Sequence, residues 1–271
     1  MNDRRISHLV LLTALLCTSV VAQAQTIPVI GSDTSLDVVT WNIESFGGPG
    51  GPSNDELQRQ NVLAVIQQAD ADLYSLQELN DETTFNTLLN ELGSDWEGVR
   101  VEGGSIGYGY IYKTDVIQSL QVNQILTGSA YEFAQRPPLL LRADVMLPDT
   151  TIEIRFIDVH MKCCSGEEDY ERRVAASQIL KNYVDNLIFI DEHVMILGDL
   201  NDELIQSIHG GCDGQPTCPS PYQNFLDDED YFFVTRSFDE PGFSNDTFTF
   251  CSNSSCSNGS VLDHIITTRN L

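Results

Sequence analysis

Four short apolar runs each stop on a side chain able to bind a cation or handle a proton, and this repetition constrains the chain more than any other feature. "VVTWN" stops at Asn42, "LYSLQE" at Glu78, "RFIDVH" at His160, and "VMILGDLN" at Asp199 and Asn201. Short runs of this kind, bounded by Gly, Asn and Asp, read as strands followed by turns. A turn accounts for any single ending, because Gly, Asp and Asn supply tight backbone geometry and cap helices. Four such endings point further. Strands of one sheet end along a shared edge, so polar residues far apart in sequence are predicted to meet there.

The intervening segments are helical. Ser53 is placed to cap a helix over "NDELQRQNVLAVIQQA", in which Leu57, Val62, Val65 and Ile66 recur near the helical period. "ETTFNTLLNEL" gives a second helix, and the segment from about Glu168 to Leu187 a longer third. Strands dominate the middle, as in "YGYIYK", "LLLRADVML" and "TIEIRFIDVHM". Beyond Glu203 the chain is rich in loops, with "DDED" (Asp227 to Asp230) and then "YFFVTRS", "TFTFCS" and "SVLDHIITT" as short strands. With 41% hydrophobic residues, no repeat and no internal boundary, the 271 residues predict one mixed α and β domain.

The first 24 residues read as a secretory signal: Arg4 and Arg5 precede "LVLLTALLCTSVV", and "AQA" follows with small residues at the cleavage positions. The apolar run is too short to span a bilayer. Cys17 follows Leu16, where a lipoprotein signal wants a small residue, so no stable membrane anchor is expected. The predicted organisation is a signal over 1–24, a linker over 25–35 and a single domain over 36–271, in a secreted protein, extracellular or periplasmic. Six cysteines remain outside the signal, an even number suited to an oxidising compartment. Local bridges are predicted for Cys212 with Cys218 across "CDGQPTC" and for Cys251 with Cys256 across "CSNSSC". Adjacent Cys163 and Cys164 either pair with each other, against strained geometry, or cross-link to those loops; thiolate ligation of a metal is the rival reading.

The whole chain carries 14 basic and 40 acidic residues, a net charge of -26; without Asp3, Arg4 and Arg5 the remainder is 12 basic against 39 acidic, or -27. Such a surface favours cations and repels polyanions at low salt. It argues against tight nonspecific binding to nucleic acid, which rests on Lys and Arg at phosphates.

The motifs "TWNIESFG", "LQEL", "DVHMK", "GDLND" and "LDHIITT" follow one another along the chain. In these five, and in their order, the sequence resembles the endonuclease/exonuclease/phosphatase superfamily. These are metal-dependent phosphoesterases that include pancreatic-type deoxyribonucleases, abasic-site endonucleases, bacterial sphingomyelinases and inositol polyphosphate phosphatases. The resemblance runs from about Leu36 to Thr268. It implies an α/β fold, a four-layer sandwich of two packed mixed β-sheets flanked by helices, with the site at one mouth. It also implies Mg²⁺ as cofactor, with Mn²⁺ as an alternative ion and a structural Ca²⁺ as an addition.

Roles for the matched residues follow from the chemistry. A phosphodiester is anionic and repels hydroxide, so its hydrolysis needs charge neutralisation at phosphate and a poised water. Glu78 suits a Mg²⁺ ligand, because this hard cation binds through one or two carboxylates and keeps several waters. Asn42 would coordinate the ion or orient Glu78. The bland alternatives are a helix-capping Glu and a turn amide. Asp199 would position or deprotonate the attacking water, and Asn201 would donate an amide hydrogen bond to a phosphate oxygen. His160 is a candidate for donating a hydrogen bond or proton to the phosphate, against the alternative of a satisfied core histidine. Asp263 would orient an imidazole and stabilise its charged form. Arg136, in "QRPPLLLRADV", resembles a phosphate-contacting Arg of some secreted deoxyribonucleases, whereas Arg142 reads as an ordinary surface pair.

One departure stands out. The family ends with a Ser-Asp-His motif on a further strand, and here the only Asp-His pair is Asp263 and His264. Either this pair is the terminal motif, which makes His264 catalytic, or it is the family's earlier Asp strand with a histidine beside it. "TFTF" upstream and "IITT" downstream favour the second, which leaves the chain without the last strand and its histidine and predicts weak hydrolysis until the chain is extended. The expected function is a secreted, metal-dependent phosphodiesterase, foremost an extracellular nuclease acting on DNA or RNA as a monomer. The alternatives are a sphingomyelinase-type or small-phosphoester hydrolase and a noncatalytic binding module on the same scaffold.

Overall fold

The computed structural model describes residues 27–190, 192–212, 214–239, 248–251 and 259–271. The predicted signal segment and Cys256 lie outside the described residues. Strand β1 (Val38–Asn42) runs parallel to β2 (Leu73–Gln77), and helix α1 (Asp55–Ala69) crosses between them. Helix α2 (Glu82–Leu92) leads to β3 (Trp96–Gly103) and β4 (Ile106–Lys113), completing a four-stranded sheet in the order β1-β2-β4-β3. The second sheet takes β5 (Ile117–Gln124), β6 (Leu139–Leu147), β7 (Thr150–His160), helix α3 (Glu167–Ile188), β8 (His193–Asp199), short helix α4 (Gln223–Leu226) and β9 (Tyr231–Phe233). After a two-residue pair, β10 (Phe250–Cys251) with β11 (Gly259–Ser260), strand β12 (Asp263–Thr268) inserts antiparallel to both β8 and β9. The six-stranded order is β5-β6-β7-β8-β12-β9.

Three apolar interfaces make the four layers. Val62 and Ile66 of α1, with Phe85 and Leu88 of α2, pack on Tyr74, Leu76 and Ile111. Leu73, Tyr108 and Tyr110 of the first sheet meet Leu139, Leu141, Phe156 and Leu197 of the second. Ala176, Leu180 and Val184 of α3 cover Ile157, Val159, Val194 and Ile196. The four-layer α/β sandwich is therefore as expected from the sequence.

Differences are local. Helix α1 is capped by Asn54, whose Oδ1 accepts from the Leu57 amide at 3.0 Å, one residue after the predicted Ser53. Within "YFFVTRS" only three residues are strand, and the chain turns into a 3-10 helix at Arg236–Asp239. Cys212 and Cys218 form the predicted local bridge; Cys251 is disulfide-bonded; Cys163 and Cys164 are free and exposed. Strand β1 is an edge of its sheet and is half-buried along its whole length, whereas β2 is buried throughout. A cleft of about 420 Å³ lies beside it, between Trp41 and Asn42 and the first turns of α1. No helix of the described residues is long and apolar enough to cross a membrane.

Candidate active site

Side chains alternate across a strand, and that parity builds the site. On β7, Ile154 and Phe156 face the space between the sheets while Ile157 and Val159 face α3. Asp158 and His160 therefore point between the sheets. On β8 Met195 and Leu197 face inward, which carries Asp199 inward two residues later. On β1 Val38 faces the same interior, so Asn42 does too. Parallel pairing of β7 with β8 sets His160 beside Asp199, and antiparallel pairing of β12 with β8 sets Asp263 on the other side of Asp199. Glu78 follows β2 at the same end.

The side chains converge. Asn42 Nδ2 donates to Asp199 Oδ2 at 2.9 Å and to Glu78 Oε1 at 3.1 Å, tying the two sheets together. Its Oδ1 accepts from the Glu44 amide at 3.0 Å, so the turn role holds as well. Glu78 Oε2 accepts from the Ser45 amide at 2.9 Å and from Ser45 Oγ at 3.3 Å. His160 Nε2 faces both carboxylates, 3.7 Å from Asp199 Oδ2 and 3.9 Å from Glu78 Oε1, beyond direct hydrogen-bond reach. Asp199 Oδ1 accepts from the Asn201 amide at 2.9 Å, and Asn201 Nδ2 donates to the Met161 carbonyl at 3.2 Å.

Two of these residues sit in the left-handed backbone region, Glu78 at φ 64° and Asn201 at φ 53°. Asn tolerates that conformation, but Glu does so only when its surroundings fix it. Around Glu78 they do: its carbonyl accepts from the Phe46 amide at 2.8 Å, and the next amide, Leu79, donates to the Gly107 carbonyl at 2.7 Å. α2 is capped by Asp81, not by Glu78, which leaves the Glu78 carboxylate for the site. Gly198, before Asp199, has φ 147°, and a Cβ there would lie 1.9 Å from the Val159 carbonyl oxygen. Only glycine lets β8 approach β7 closely enough to hold Asp199 against His160.

Burial dominates the electrostatics. It pushes the Asp199 carboxyl up to about 6, with Glu78 adding to the rise against the hydrogen bonds from Asn42 and Asn201. Burial and the neighbouring Asp199 charge push Asp263 up to about 8, although Thr249 and the Asn42 amide both donate to it. Burial, with the Arg136 cation beside it, holds His160 well below the usual imidazole range, so the ring is neutral. Arg136 is itself buried; its Nε donates to the His160 carbonyl at 2.9 Å and Nη2 to the Met161 carbonyl at 2.6 Å. The structure thus places Arg136 against the backbone that carries His160.

His264 is the correction. It shares the parity of Ile266, which packs toward α3, and so faces away from Asp263. Its ring is fully buried, with Nδ1 3.0 Å from Thr235 Oγ1 and Nε2 3.2 Å from the Asp202 carbonyl. Adjacent residues on one strand cannot both point into one site, so His264 lies outside the cluster, against the expectation that it is catalytic. Arg142 pairs in bidentate fashion with Glu153 on the neighbouring strand, as expected of a surface pair.

The sequence reading missed the support beneath the site. Arg173 on α3 is 0% exposed, and its Nε donates to Asp202 Oδ2 at 2.8 Å. Nη1 donates to the carbonyls of Lys162 at 2.8 Å and Cys164 at 2.7 Å, joining the turn after His160 to the turn after Asp199. The available signal was spacing: Arg173 shares the buried stripe of Ala176, Leu180 and Val184.

A divalent cation fits this donor set. Glu78, Asp199 and Asp263 bring three carboxyl groups to one end of the sandwich, and Asp263 Oδ1 is buried without a hydrogen-bond partner among the described residues. Among those residues no group of three or more His, Cys, Asp or Glu is arranged to hold a metal ion by itself. An open arrangement of that kind suits a hard ion that binds through one or two carboxylates and retains water.

The sequence profile described as the Endonuclease/Exonuclease/phosphatase family matches residues 39–271. The chain belongs to that family. Members of the endonuclease/exonuclease/phosphatase family hydrolyse phosphoesters and generally use divalent metals, usually Mg²⁺. No curated protein sequence matches the chain. Among solved structures, a Bacteroides thetaiotaomicron mannosyl-6-phosphatase is similar at 14% identity, over 87% of this chain and 86% of that one, with a TM-score of 0.58. The human Nocturnin catalytic domain, with bound sulfate, is similar at 14% identity over 86% and 82%, TM-score 0.57. D. rerio TDP2 complexed with single strand DNA product is similar at 14% identity over 86% and 83%, TM-score 0.56. At these identities the likeness is one of fold.

Proposed function

We propose that this family member is a secreted, Mg²⁺-dependent phosphodiesterase, foremost a nuclease acting on DNA or RNA outside the cell. The observation that carries the reading is the meeting of Asn42, Glu78, His160 and Asp199, from four strand ends and both sheets, within 4 Å contacts of one another. Glu78, aided by Asn42, would hold the ion, which when bound neutralises charge on the phosphate. Asp199, fixed by hydrogen bonds from Asn42 and Asn201, positions and takes a proton from the attacking water. Neutral His160 offers an Nε2–H to a phosphate oxygen, and Asn201 offers an amide hydrogen. Arg136 holds the His160 and Met161 carbonyls and adds positive charge behind the phosphate. Asp263 bridges from β12 to the Asn42 amide and fixes the strand that carries the amide ligand.

A nucleic-acid substrate is supported by the DNA product held by one structural relative. The balance of -27 after the first 24 residues predicts an activity on nucleic acid that rises from low to moderate salt, as repulsion is screened. Hydrolysis of plasmid DNA and of bis-p-nitrophenyl phosphate is measured with Mg²⁺ and then with chelator. Glu78→Gln and Asp199→Asn are each expected to lower turnover at least about 100-fold while leaving the folded spectrum intact. Turnover that persists in chelator, or in both variants, would overturn the proposal.

A further inference from the structure

Two cysteines outside the catalytic cluster are left without bridges. Cys212 is bonded to Cys218, and Cys251 is also disulfide-bonded, so Cys163 and Cys164 are the free pair among the described residues. Both are exposed, and their Sγ atoms are in hydrogen-bond contact at 2.7 Å. Cys164 is held at φ 82°, in the left-handed region, and its carbonyl is pinned by Arg173 Nη1. The Lys162 Nζ, paired with Asp169 at 2.8 Å, also lies 3.5 Å from Cys163 Sγ, which places positive charge beside the two sulfurs. Either sulfur can donate in this contact, and hydrogen bonding to Cys163 raises the Cys164 thiol above its ordinary value.

We propose that Cys163 and Cys164 are a redox-active pair that small-molecule disulfides oxidise to a vicinal disulfide at the rim of the site. Cys163, as thiolate, attacks one sulfur of a disulfide RSSR; a new S–S bond to that sulfur forms, the RS–SR bond breaks, and RS⁻ leaves as RSH after protonation. Cys164, losing its proton, then attacks Cys163 Sγ and expels the second thiol. The balance is two protein thiols and one RSSR giving one protein disulfide and two RSH, the external disulfide being reduced. Adjacent residues are 3.8 Å apart at Cα across a trans peptide, below the usual span of a disulfide, so the bond formed is strained and readily reversed. Residues 160–164 carry the carbonyls bound by Arg136 and Arg173, so the ring closes on the strap between His160 and the Asp199 turn.

The test is peptide mapping of the full chain after reduction, removal of reductant and exposure to oxidised glutathione. Trypsin releases 163–172, which holds both sulfurs. The expected wild-type peptide is lighter by two hydrogens, carries no glutathione, resists alkylation and recovers both thiols with dithiothreitol. Cys163→Ser should leave the pair unresolved, and Cys164→Ser should retain one glutathione on Cys163. A wild-type peptide that keeps glutathione, that stays fully alkylatable, or that is joined to Cys212 or Cys218 would overturn the assignment.

Discussion

Replacing His264 by Gln separates a buried structural imidazole from a titrating surface group. The ring faces Thr235 Oγ1 and the carbonyls of Asp202 and Val261. Burial lowers its value from 6.5 to about 4, although the two carbonyls oppose the fall. An unfolded chain therefore binds this proton between pH 6.5 and 4 while the folded chain does not. Stability contributed by the neutral ring is present above 6.5 and is lost as pH falls through that window. A difference of about 2.5 units at 1.36 kcal/mol each amounts to about 3 kcal/mol. Gln cannot titrate, so the variant lacks this acid loss, although weaker hydrogen bonding costs it about 1–3 kcal/mol near neutrality. Urea midpoints are measured for both proteins at pH 7, 6, 5 and 4. Subtracting the curves cancels the carboxylates common to both, and the deficit of His264→Gln should shrink by about 3 kcal/mol from pH 7 to 4. A deficit that stays constant across this range would refute the buried, neutral ring and reopen the placement of His264.

Removing the guanidinium in Arg173→Met leaves Asp202 buried and frees the Lys162 and Cys164 carbonyls, so a loss of about 3–5 kcal/mol is expected in urea titration; adding Asp202→Leu should return part of it, and a single-variant loss below about 1 kcal/mol would show that the pair is dispensable. Asp158, fully buried and bonded by Gln77 Nε2 at 2.8 Å, is pushed up to about 8 by burial. The folded state then holds a proton that the unfolded state releases near 3.8, so its contribution is full at low pH and declines as pH rises to 8. Asp158→Asn should flatten that decline by at most about 6 kcal/mol; parallel stability curves for wild type and variant would contradict it.

What the chain states outright is periodicity. Apolar runs of strand length, ending at Asn42, Glu78, His160 and Asp199, appear where the strands end, and α2 spans Glu82–Leu92 as its spacing required. The chemical types of the site are legible for the same reason: a polar residue closing an apolar strand has few places to go but a shared edge. Which neighbours meet is a different matter. That Asp263 turns inward and His264 outward depends on the register of β12 against β8, which places Asp263 opposite Asp199. Sequence gives the alternation but not its phase, because the phase is set by which face packs on α3. The Arg173 staple and the bond from Asn42 across both sheets join residues 29 and 157 positions apart. Such contacts arise only when two sheets and a helix are stacked, since pairing across layers leaves no local pattern in the chain.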